Sequence, residues 1–333
     1  MSYSPPFQLT HNMMKLVSEI SESIGNWTAV NSNSLMPQLR RENRIRTIQA
    51  SLAIEQNTLT LEQVTAVIEG KSVLGHPKEI QEVHNALATY AKMPNWSKTK
   101  VNDLLLAHRL LMQGLLNDAG QWRSGGAGIY RGEQLVHMAP PANQIPRLMK
   151  QLFEWLESTD AHPLIASAAF HYEFEFIHPF SDGNGRMGRL WQTLILSEWQ
   201  PLLAYLPVET VIKALQNEYY QAFRQADQQT DCSQFIEFLL QALVTSLKEA
   251  VDTNSGKMRV EMKVETRVKT PDKILALLSE NSSLTLAEVA NHLGLSPSTV
   301  ERAVAKLKQQ SKLTYMGPKK GGYWQLIKGP YCD

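Results

Sequence analysis

Apolar residues recur at the spacing of amphipathic helices through most of the chain. Leu39, Ile45, Ile48 and Leu52, for example, fall on one side of a helix drawn over residues 37–53. The same periodicity predicts helices over residues 13–24, 37–53, 76–91, 98–115, 143–158, 162–176, 186–199, 207–226 and 232–247. We therefore expect a mainly α-helical fold up to about residue 250.

Two regions depart from this pattern. Residues 120–132 are rich in glycine, and residues 134–138 form a short β-prone run bounded by Gly132 and the Pro140-Pro141 pair. Beyond residue 270 the pattern predicts helices over 271–280, 285–294 and 296–310, followed by strands over 313–316 and 322–327. Three helices followed by a hairpin is the order of a winged helix.

These patterns suggest four parts of the chain. We expect an N-terminal helical region over residues 1–110, a core over 111–250, a linker or extended helix over 251–270 and the winged helix over 271–333. From residue 265 onward there are ten Lys or Arg against six Asp or Glu, which is only mildly basic. Glu301 on the expected recognition helix disfavours phosphate, so a docking role is favoured over binding to DNA.

Composition narrows the class of protein. The 333 residues are 43% hydrophobic and carry a formal net charge of +1, so no global field points to nucleic acid. The two cysteines, Cys232 and Cys332, form no motif. No apolar run reaches the roughly 20 residues of a membrane span, and the N-terminus lacks a signal-peptide pattern. We expect a cytoplasmic protein with no membrane partner.

The stretch from His178 to Arg189 carries the strongest chemical signal. The Asp182-Gly-Asn-Gly185 turn precedes a predicted helix, and a glycine-rich loop at a helix N-terminus directs backbone N–H groups at an anion. Arg186 and Arg189 lie three residues apart and add donors suited to phosphate. Asp182 is a hard oxygen ligand for Mg²⁺, and His178 is a base that titrates near neutral pH. Together they predict a site of phosphate transfer.

The same residues resemble the signature of the Fic family, HxFx(D/E)GNGRxxR, at every defined position from His178 to Arg189. The resemblance implies a protein adenylyltransferase, which moves AMP from ATP to a hydroxyl side chain of a target protein. It implies that His178 is the base and that Asp182 holds Mg²⁺. The phosphates are then bound by Gly183, Asn184, Gly185, Arg186 and Arg189.

Two more parts of the nucleotide site follow from this resemblance. Residues 134–138 resemble the Fic flap, a small β-hairpin beside the active site, so Val136 and His137 are assigned to the site. Tyr219 and Tyr220 match a tyrosine pair that lines the adenine pocket in the family, although one of them is expected to pack in the core. Phe180 is expected to point inward and hold the loop.

A helix that inhibits the enzyme is the last feature that the family suggests. Its pattern is (S/T)xxxE(G/N), which Ser51 and Glu55 fit, whereas Gln56 does not. A carboxylate paired with Arg189 would remove the partner of the γ-phosphate. Residues 65–70, with Glu69, fit the short pattern letter for letter. We prefer Glu55, because its surroundings resemble the longer family context and Thr60 begins a capping box for the next helix.

Several alternatives stay open. Members of the family also transfer UMP, phosphate or phosphocholine, or remove AMP. A different class of function is a DNA-binding regulator in which the Fic site is a sensor. The expected partners are ATP, a target hydroxyl and Mg²⁺. The sequence leaves DNA binding and a homodimer open and does not identify the target.

Overall fold

The computed structural model describes residues 3–30, 37–131, 134–265, 270–310, 312–318 and 322–327. Within these ranges the chain is mainly helical, with two separate antiparallel hairpins. The helices are α1 (His11–Val30), α2 (Pro37–Ile54), α3 (Leu61–Ile68), α4 (Pro77–Lys92), α5 (Val101–Leu111), α6 (Ile145–Ser158), α7 (Pro163–Ile177), α8 (Asn184–Trp199), α9 (Val208–Ala214), α10 (Gln216–Gln229), α11 (Ser233–Glu265), α12 (Thr270–Glu280), α13 (Leu286–Leu293) and α14 (Pro297–Gln309). The strands are β1 (Gly128–Arg131), β2 (Gln134–Met138), β3 (Leu313–Met316) and β4 (Tyr323–Leu326). The predicted fold class is confirmed.

The first compact unit, Met1–Asp252, is built around helix α7. This helix is buried on every side: Phe170, Tyr172 and Phe174 are among the largest fully buried side chains. An all-round apolar helix can be stable only when other elements cover each of its faces. Helices α6 and α8 pack against it, and α5 packs against both of these. Helix α7 therefore delivers its C-terminus, the start of the motif, to a fixed place in the core.

The N-terminal helices join the same hydrophobic core. Residues Ile48 and Leu52 of α2 and Val64 of α3 are buried in it. Thr60 caps α3 with a reciprocal capping box to Gln63, as the sequence predicts. Helix α2 packs on α3, α4, α8 and α9, so its C-terminal end lies next to the motif helix.

A short hairpin, β1 with β2, follows helix α5 in the chain. Gly128 pairs with Met138 and Arg131 with Gln134, and the register shifts once between Ile129 and Tyr130. This is the small β-hairpin that the sequence predicts at residues 134–138, with its partner strand in the glycine-rich stretch. Residues 132 and 133 at its tip, and the side chains of residues 129–136, lie outside the described part of the structure.

Two predicted helices differ from those in the structure. The helix predicted over residues 207–226 is broken at Leu215, and the resulting α9 and α10 present Lys213 and Gln216 to the end of α2. Lys213 Nζ donates to Ala53 O at 2.7 Å, and Gln216 Nε2 donates to Ile54 O at 3.0 Å. The helix predicted to end at residue 247 continues as α11 to Glu265, in the segment for which the sequence left a linker or an extended helix open. The apolar periodicity of residues 207–226 does not reveal this break, because the break serves contacts with the distant end of α2.

The second unit, Thr253–Asp333, contains the winged helix. Its core joins Ile274 and Leu278 of α12, Val289 of α13 and Val300 of α14 to Trp324 of β4. Thr285 caps α13 with a capping box to Glu288, and Ser296 caps α14. Leu313 pairs with Leu326 across the hairpin of β3 and β4. Each predicted helix and strand of this unit is confirmed. In the described ranges of both units, no helix has the length and apolar character to cross a bilayer.

Candidate active site

The loop from His178 to Gly183 joins α7 to α8 and is held by its own side chains. Asn184 Oδ1 accepts from the Phe180 N–H at 2.9 Å, and Asn184 Nδ2 donates to Phe180 O at 2.8 Å. Gly183 has φ 84°, a left-handed conformation that glycine adopts without strain. Asn184, predicted to bind phosphate, is 2% exposed, and its side-chain amide is bonded to the loop backbone at Phe180. Its predicted contact with phosphate is therefore left to its backbone N–H at the start of α8.

Phe180 points into the core, as predicted, and its neighbour there is a histidine. The ring of His108 stacks on Phe180 at 3.6 Å between centroids, with an interplanar angle of 3°. The Gly120 N–H donates to His108 Nδ1 at 2.8 Å, so Nε2 carries the proton that is donated to Asp182 O at 3.0 Å. Burial lowers the pKa of His108 to about 4, so the ring stays neutral and keeps this tautomer at pH 7.

His178 lies at the end of α7 in a left-handed conformation, with φ 49° and ψ 61°. Its Nδ1 lies 3.8 Å from Oε2 of Glu175. Burial lowers the pKa of His178 to about 4; the Glu175 carbonyl and the Glu55 carboxylate oppose this, while Arg123 and His137 add to it. The imidazole is therefore neutral at pH 7 and able to accept a proton.

Arg189 on α8 is paired with the end of α2. Its Nη2 donates to Glu55 Oε1 at 2.8 Å and to Ser51 O at 3.0 Å, while Nε donates to Ser51 Oγ at 3.1 Å. Burial acts to lower the pKa of Arg189, but the Glu55 carboxylate outweighs it and holds the pKa above its usual range. Arg189 is 2% exposed, so the pair is desolvated on the arginine side. Glu55 therefore pairs with Arg189, and Ser51 accepts two further hydrogen bonds from the same guanidinium.

Glu55 occupies the place where an anion was predicted. A Cβ added to Gly185 would collide with Oε1 of Glu55, so the carboxylate lies directly against the glycine at the N-terminus of α8. A helix N-terminus stabilises such a negative charge. The cavity here measures about 170 Å³ and is lined by Glu55, Gly128, Glu175, His178, Gly185, Arg189, Tyr219, Tyr220 and Phe223. Small-molecule sites usually measure about 300–1,000 Å³, so the described cavity is smaller than a typical site while Glu55 fills the place of the anion.

Glu69, the rival candidate, lies elsewhere. It follows α3 and pairs with Arg41 at 3.1 Å and with Lys71 at 2.8 Å. Lys71 contributes most to lowering the pKa of the Glu69 carboxyl. Thr65, which matches the first letter of the pattern, donates its hydroxyl hydrogen to Leu61 O inside its own helix. This solvent-facing cluster is a different environment from that of Arg189.

Arg186 lies between two carboxylates. Its Nη2 is 3.2 Å from Asp182 Oδ1, and its Nη1 is 3.4 Å from Oε1 of Glu82 on α4. Asp182 Oδ1 also accepts from the Gly183 N–H at 2.5 Å. The Asp182 side chain is 48% exposed, whereas Arg186 is buried. A phosphate that reached this arginine would therefore have to compete with Asp182 and Glu82.

Asp182 is the protein ligand predicted for Mg²⁺. The described residues contain no group of three or more His, Cys, Asp or Glu side chains that would hold a metal by themselves. A single half-exposed carboxylate beside a phosphate cradle nevertheless fits Mg²⁺, which often binds through one or two carboxylates together with substrate phosphates and water. The donor set is therefore compatible with a cation that arrives with the nucleotide.

The two tyrosines of α10 both line the cavity. Tyr219 is 4% exposed, and its hydroxyl meets Nε2 of the buried His171 at 2.9 Å. Tyr220 is half-buried, with its ring 5.3 Å from that of Tyr219 in an edge-to-face arrangement. Tyr219 is thus the more deeply packed of the pair, and Tyr220 offers the more accessible aromatic surface. A planar base can stack on such a ring.

Of the two flap residues assigned to the nucleotide site, the structure describes the side chain of His137. The ring of His137 points into the protein, where Nε2 meets Phe176 O at 2.8 Å and Nδ1 lies 3.0 Å from Asp227 Oδ2. It is 4% exposed, is not among the described residues that line the cavity, and ties β2 to α7 and α10. The side chain of Val136 lies outside the described residues.

Some residues at the site were missed in the sequence. Glu175 lines the cavity, and burial raises its pKa to about 8. Its Oε1 is buried with no hydrogen-bond partner in the described part of the chain. Glu82 faces Arg186 from a helix about a hundred positions earlier, and Arg123 faces the motif loop. The position of Glu175, three residues before His178, could have indicated that it belongs to the site. Glu82 and Arg123 lie far from the motif in sequence, and nothing local indicates their roles.

Comparisons with known proteins agree with this geometry. The profile of the Fic/DOC family matches residues 98–196, and that of a winged helix-turn-helix DNA-binding family matches residues 272–312. A crystal structure of a Fic family protein from Desulfovibrio desulfuricans G20 is 51% identical in sequence with a TM-score of 0.75, and the alignment covers 99% of this chain and 100% of the other.

More distant relatives cover less. The protein adenylyltransferase Fic of Nematostella vectensis is 30% identical over 68% of this chain and 53% of its own length. The solved Fic-1 fragment from C. elegans (residues 134–508) shares the fold, with 22% identity, a TM-score of 0.60 and coverage of 74% of this chain and 73% of that one. The chain spans about half the length of the curated relatives that it matches. On the near-complete match to the Desulfovibrio protein and the matching family profile, the chain belongs to the Fic/DOC family.

Proposed function

We propose that the protein is an adenylyltransferase that transfers AMP from ATP to a Ser, Thr or Tyr hydroxyl of a target protein or of itself. The observation that carries the proposal is one cavity that joins the neutral imidazole of His178 to the N-terminus of α8 and to Arg189. A base and an anion cradle that share one cavity are what phosphoryl and nucleotidyl transfer require. The relatives named as protein adenylyltransferases support AMP as the transferred group.

The chain's own residues have distinct parts in this reaction. His178 takes the proton from the target hydroxyl, whose oxygen forms a bond to the α-phosphorus of ATP. The bond between the α-phosphorus and the bridging oxygen breaks, and pyrophosphate leaves. Arg186 and Arg189 neutralise the charge on that leaving group, as does the backbone at Gly183 and Gly185. Bound Mg²⁺ at Asp182 would supply further neutralisation of phosphate charge.

The test uses ATP labelled on the α-phosphate, with wild type and His178→Ala. We expect label on the protein or on a target with wild type, and a loss of roughly 10² to 10⁴ in rate with the variant. Affinity for ATP should stay nearly unchanged, because the base acts on the incoming hydroxyl. Transfer at the wild-type rate by His178→Ala would contradict the assignment of the base.

Mass spectrometry separates the reactions that share this fold. After incubation with ATP, UTP or CDP-choline, the mass added to the target identifies AMP, UMP or phosphocholine, and a gain from ATP of one phosphate alone identifies phosphorylation. Loss of AMP from a modified target identifies the reverse activity. Only added AMP supports the proposal as stated.

We infer further that Glu55 inhibits the reaction. Its carboxylate already holds the guanidinium of Arg189 and lies against Gly185, where the phosphates of ATP would need to be. Two negative groups cannot share this place without strong repulsion. ATP therefore binds productively only when Glu55 has moved away. Ser51, which accepts two further bonds from Arg189, holds the arginine towards α2 in the inhibited state.

DNA binding is the second candidate function, and the observation that favours it is the family profile over residues 272–312. Helix α14 exposes Ser298, Glu301 and Arg302 along its first turns. The exposed Glu301 would repel phosphate, so docking onto a protein partner is the preferred role of this unit. A gel shift of DNA with the protein over a range of salt concentrations distinguishes DNA binding from docking. Binding that is salt-dependent and unaffected by His178→Ala would favour a DNA-binding regulator.

A further inference from the structure

A buried arginine outside the motif contacts the motif loop and the hairpin at once. Arg123 lies between α5 and β1, is 4% exposed, and donates four hydrogen bonds. Nε donates to His178 O at 2.7 Å, and Nη2 donates to Ile177 O at 3.3 Å. Nη1 donates to Gly125 O and Nη2 to Pro140 O, both at 2.6 Å. One guanidinium thus donates hydrogen bonds to four backbone carbonyls.

These four carbonyls belong to two functional elements. Those of Ile177 and His178 lie at the C-terminus of α7, where the base is. Those of Gly125 and Pro140 lie just before β1 and just after β2, so they mark the two ends of the hairpin. The backbone adds a fifth link, because the Arg123 N–H donates to Pro179 O at 3.0 Å. The hairpin and the base are therefore fixed to the same side chain.

The backbone of His178 needs such support. Its φ of 49° is left-handed, a conformation that is strained for a residue with a Cβ and persists only where neighbours hold it. The carbonyl of this strained residue is the one that receives the 2.7 Å bond from Arg123. Arginine suits the task because its planar fork presents donors in fixed directions, which an ammonium group does not.

We propose that Arg123 is a positioning residue that holds His178 and the flap hairpin in one geometry, so that the base and a target segment bound along the hairpin meet. The proposal rests on the proposed function, in which His178 is the base. Among the described residues, the guanidinium of Arg123 donates its hydrogen bonds to backbone carbonyls, so its effect on the reaction passes through His178 and through the hairpin ends.

The charge of Arg123 has a second consequence. In the described part of the chain the guanidinium donates to carbonyl oxygens, and no salt bridge joins it to a carboxylate. The charged or titratable groups that face His178 are Glu175 on its own helix, Arg123, Glu55 at the end of α2, and His137 on β2. Arg123 acts with burial to lower the pKa of His178, so it favours the neutral ring.

Two substitutions separate geometry from charge. Arg123→Lys keeps the positive charge and loses the fork, and Arg123→Met loses both. Arg147→Met is the matched control, because Arg147 lies exposed on α6 and donates to the side chains of Gln144 and Gln151 at the surface. Each variant is made in the wild-type and the Glu55→Gly background. The kcat for transfer from ATP, the KM for the target and the Kd for ATP are measured on the full chain.

We expect Arg123→Lys to lower kcat about tenfold and Arg123→Met about a hundredfold, since misplacing a catalytic group by about 1 Å has effects of that size. The KM for the target should rise, and the Kd for ATP should stay within about twofold, because the phosphate cradle lies on α8. A kcat within about twofold of wild type in both variants would overturn the proposal. So would a rise in the Kd for ATP as large as the fall in kcat, which would indicate general damage.

Titration of the His178 ring by NMR gives a readout that does not depend on the reaction. The resonance is assigned among the nine histidines by its absence in His178→Ala. Arg123→Met should raise the titration midpoint by about 0.5–1 pH unit, and Arg123→Lys should not. An unchanged midpoint in Arg123→Met contradicts the charge effect. If Arg123→Met does not fold, kcat of Arg123→Lys decides alone. If wild type transfers no group from any nucleotide, the proposed function fails, while the titration still tests Arg123.

Discussion

Replacing Glu55 with glycine should activate the enzyme. The carboxylate of Glu55 is the partner of Arg189 at 2.8 Å and lies against Gly185 in the cavity. Removing it frees the guanidinium for the γ-phosphate of ATP and opens the anion site at the start of α8. Ser51 keeps its two bonds to Arg189, so the arginine stays ordered near its present place.

The size of the effect follows from the environment of the pair. The side chain of Arg189 is 2% exposed and that of Glu55 is 34% exposed, so one partner is desolvated and the other only partly. A charge-assisted hydrogen bond of this kind contributes on the order of 1.5–3 kcal/mol. Because ATP must displace it, productive binding of ATP should improve roughly tenfold to a hundredfold in the variant.

The assay measures initial rates of self-modification and of target modification at ATP concentrations well below KM. Glu55→Gly should raise the rate, and Glu55→Gln should raise it less, because glutamine keeps the volume against Gly185 while losing the charge. Glu69→Gly is the matched control, since Glu69 pairs with Arg41 and Lys71 at the surface. Arg189→Ala should not mimic activation, because the γ-phosphate then loses its partner too.

Three results would refute this reasoning. Activation by Glu69→Gly alone would mean that the wrong glutamate had been chosen. Equal rates for wild type, Glu55→Gly and Glu69→Gly would mean that the end of α2 does not inhibit. A rate increase for Glu55→Gly that persisted unchanged at saturating ATP would locate the inhibition in the chemical step, contrary to the proposed competition with phosphate.

Three further predictions follow from the same contacts. Asp182→Ala should lose Mg²⁺-dependent activity, and identical Mg²⁺ titration curves for variant and wild type would place the metal ligand elsewhere. Gln56→Gly should stabilise the fold by about 1 kcal/mol in chemical denaturation, because Gln56 has φ 69°, where glycine is unstrained; an unchanged midpoint would contradict this. Burial raises the pKa of Glu173 to about 7, so its contribution to stability is full below about pH 4.5 and is lost as the pH rises through 7. Glu173→Gln should therefore raise Tm relative to wild type at pH 8 but not at pH 4.5, and an equal difference at both would count against it.

Much of the fold was readable from local patterns. Residue spacing predicted α6, α7 and α8 almost to their ends, and the capping boxes at Thr60 and Thr285 located the starts of α3 and α13. A capping box can be read from sequence because both partners lie within four residues of each other. The motif from His178 to Arg189 was likewise readable, since a turn and the first helical turn contain all of it.

Contacts between distant parts of the chain were not readable. Arg123 binds the carbonyl of His178 across 55 positions, and a carbonyl carries no side-chain identity that a sequence pattern could show. The contacts of the Asn184 amide were not readable either: its chemistry suits phosphate, but in the folded loop it bonds the backbone of Phe180. His137 is a third example, because alternation along a strand does not say which face is covered.

The mismatch at Gln56 has a physical explanation in the end of α2. The Asn57 N–H donates to Leu52 O and the Gln56 N–H donates to Ala53 O, which is the Schellman arrangement that ends many helices. It requires a left-handed residue at position 56, and Gln56 adopts that conformation with φ 69°. Gly and Asn, which the family pattern has at this position, are the residues that adopt this conformation with the least backbone strain.

The ion pair depends on different positions. Ser51 and Glu55 lie four residues apart, so the helix brings both to one face, towards Arg189. Gln56 raises the backbone strain of the turn that ends α2, but it does not change the direction in which the Glu55 side chain points. Residues 65–70 satisfy every letter of the same pattern, yet Glu69 meets Arg41 and Lys71 instead. A short pattern of this kind thus indicates whether a helix can end in a left-handed turn without much strain. Only the packing of that helix against α8 decides whether its glutamate reaches Arg189.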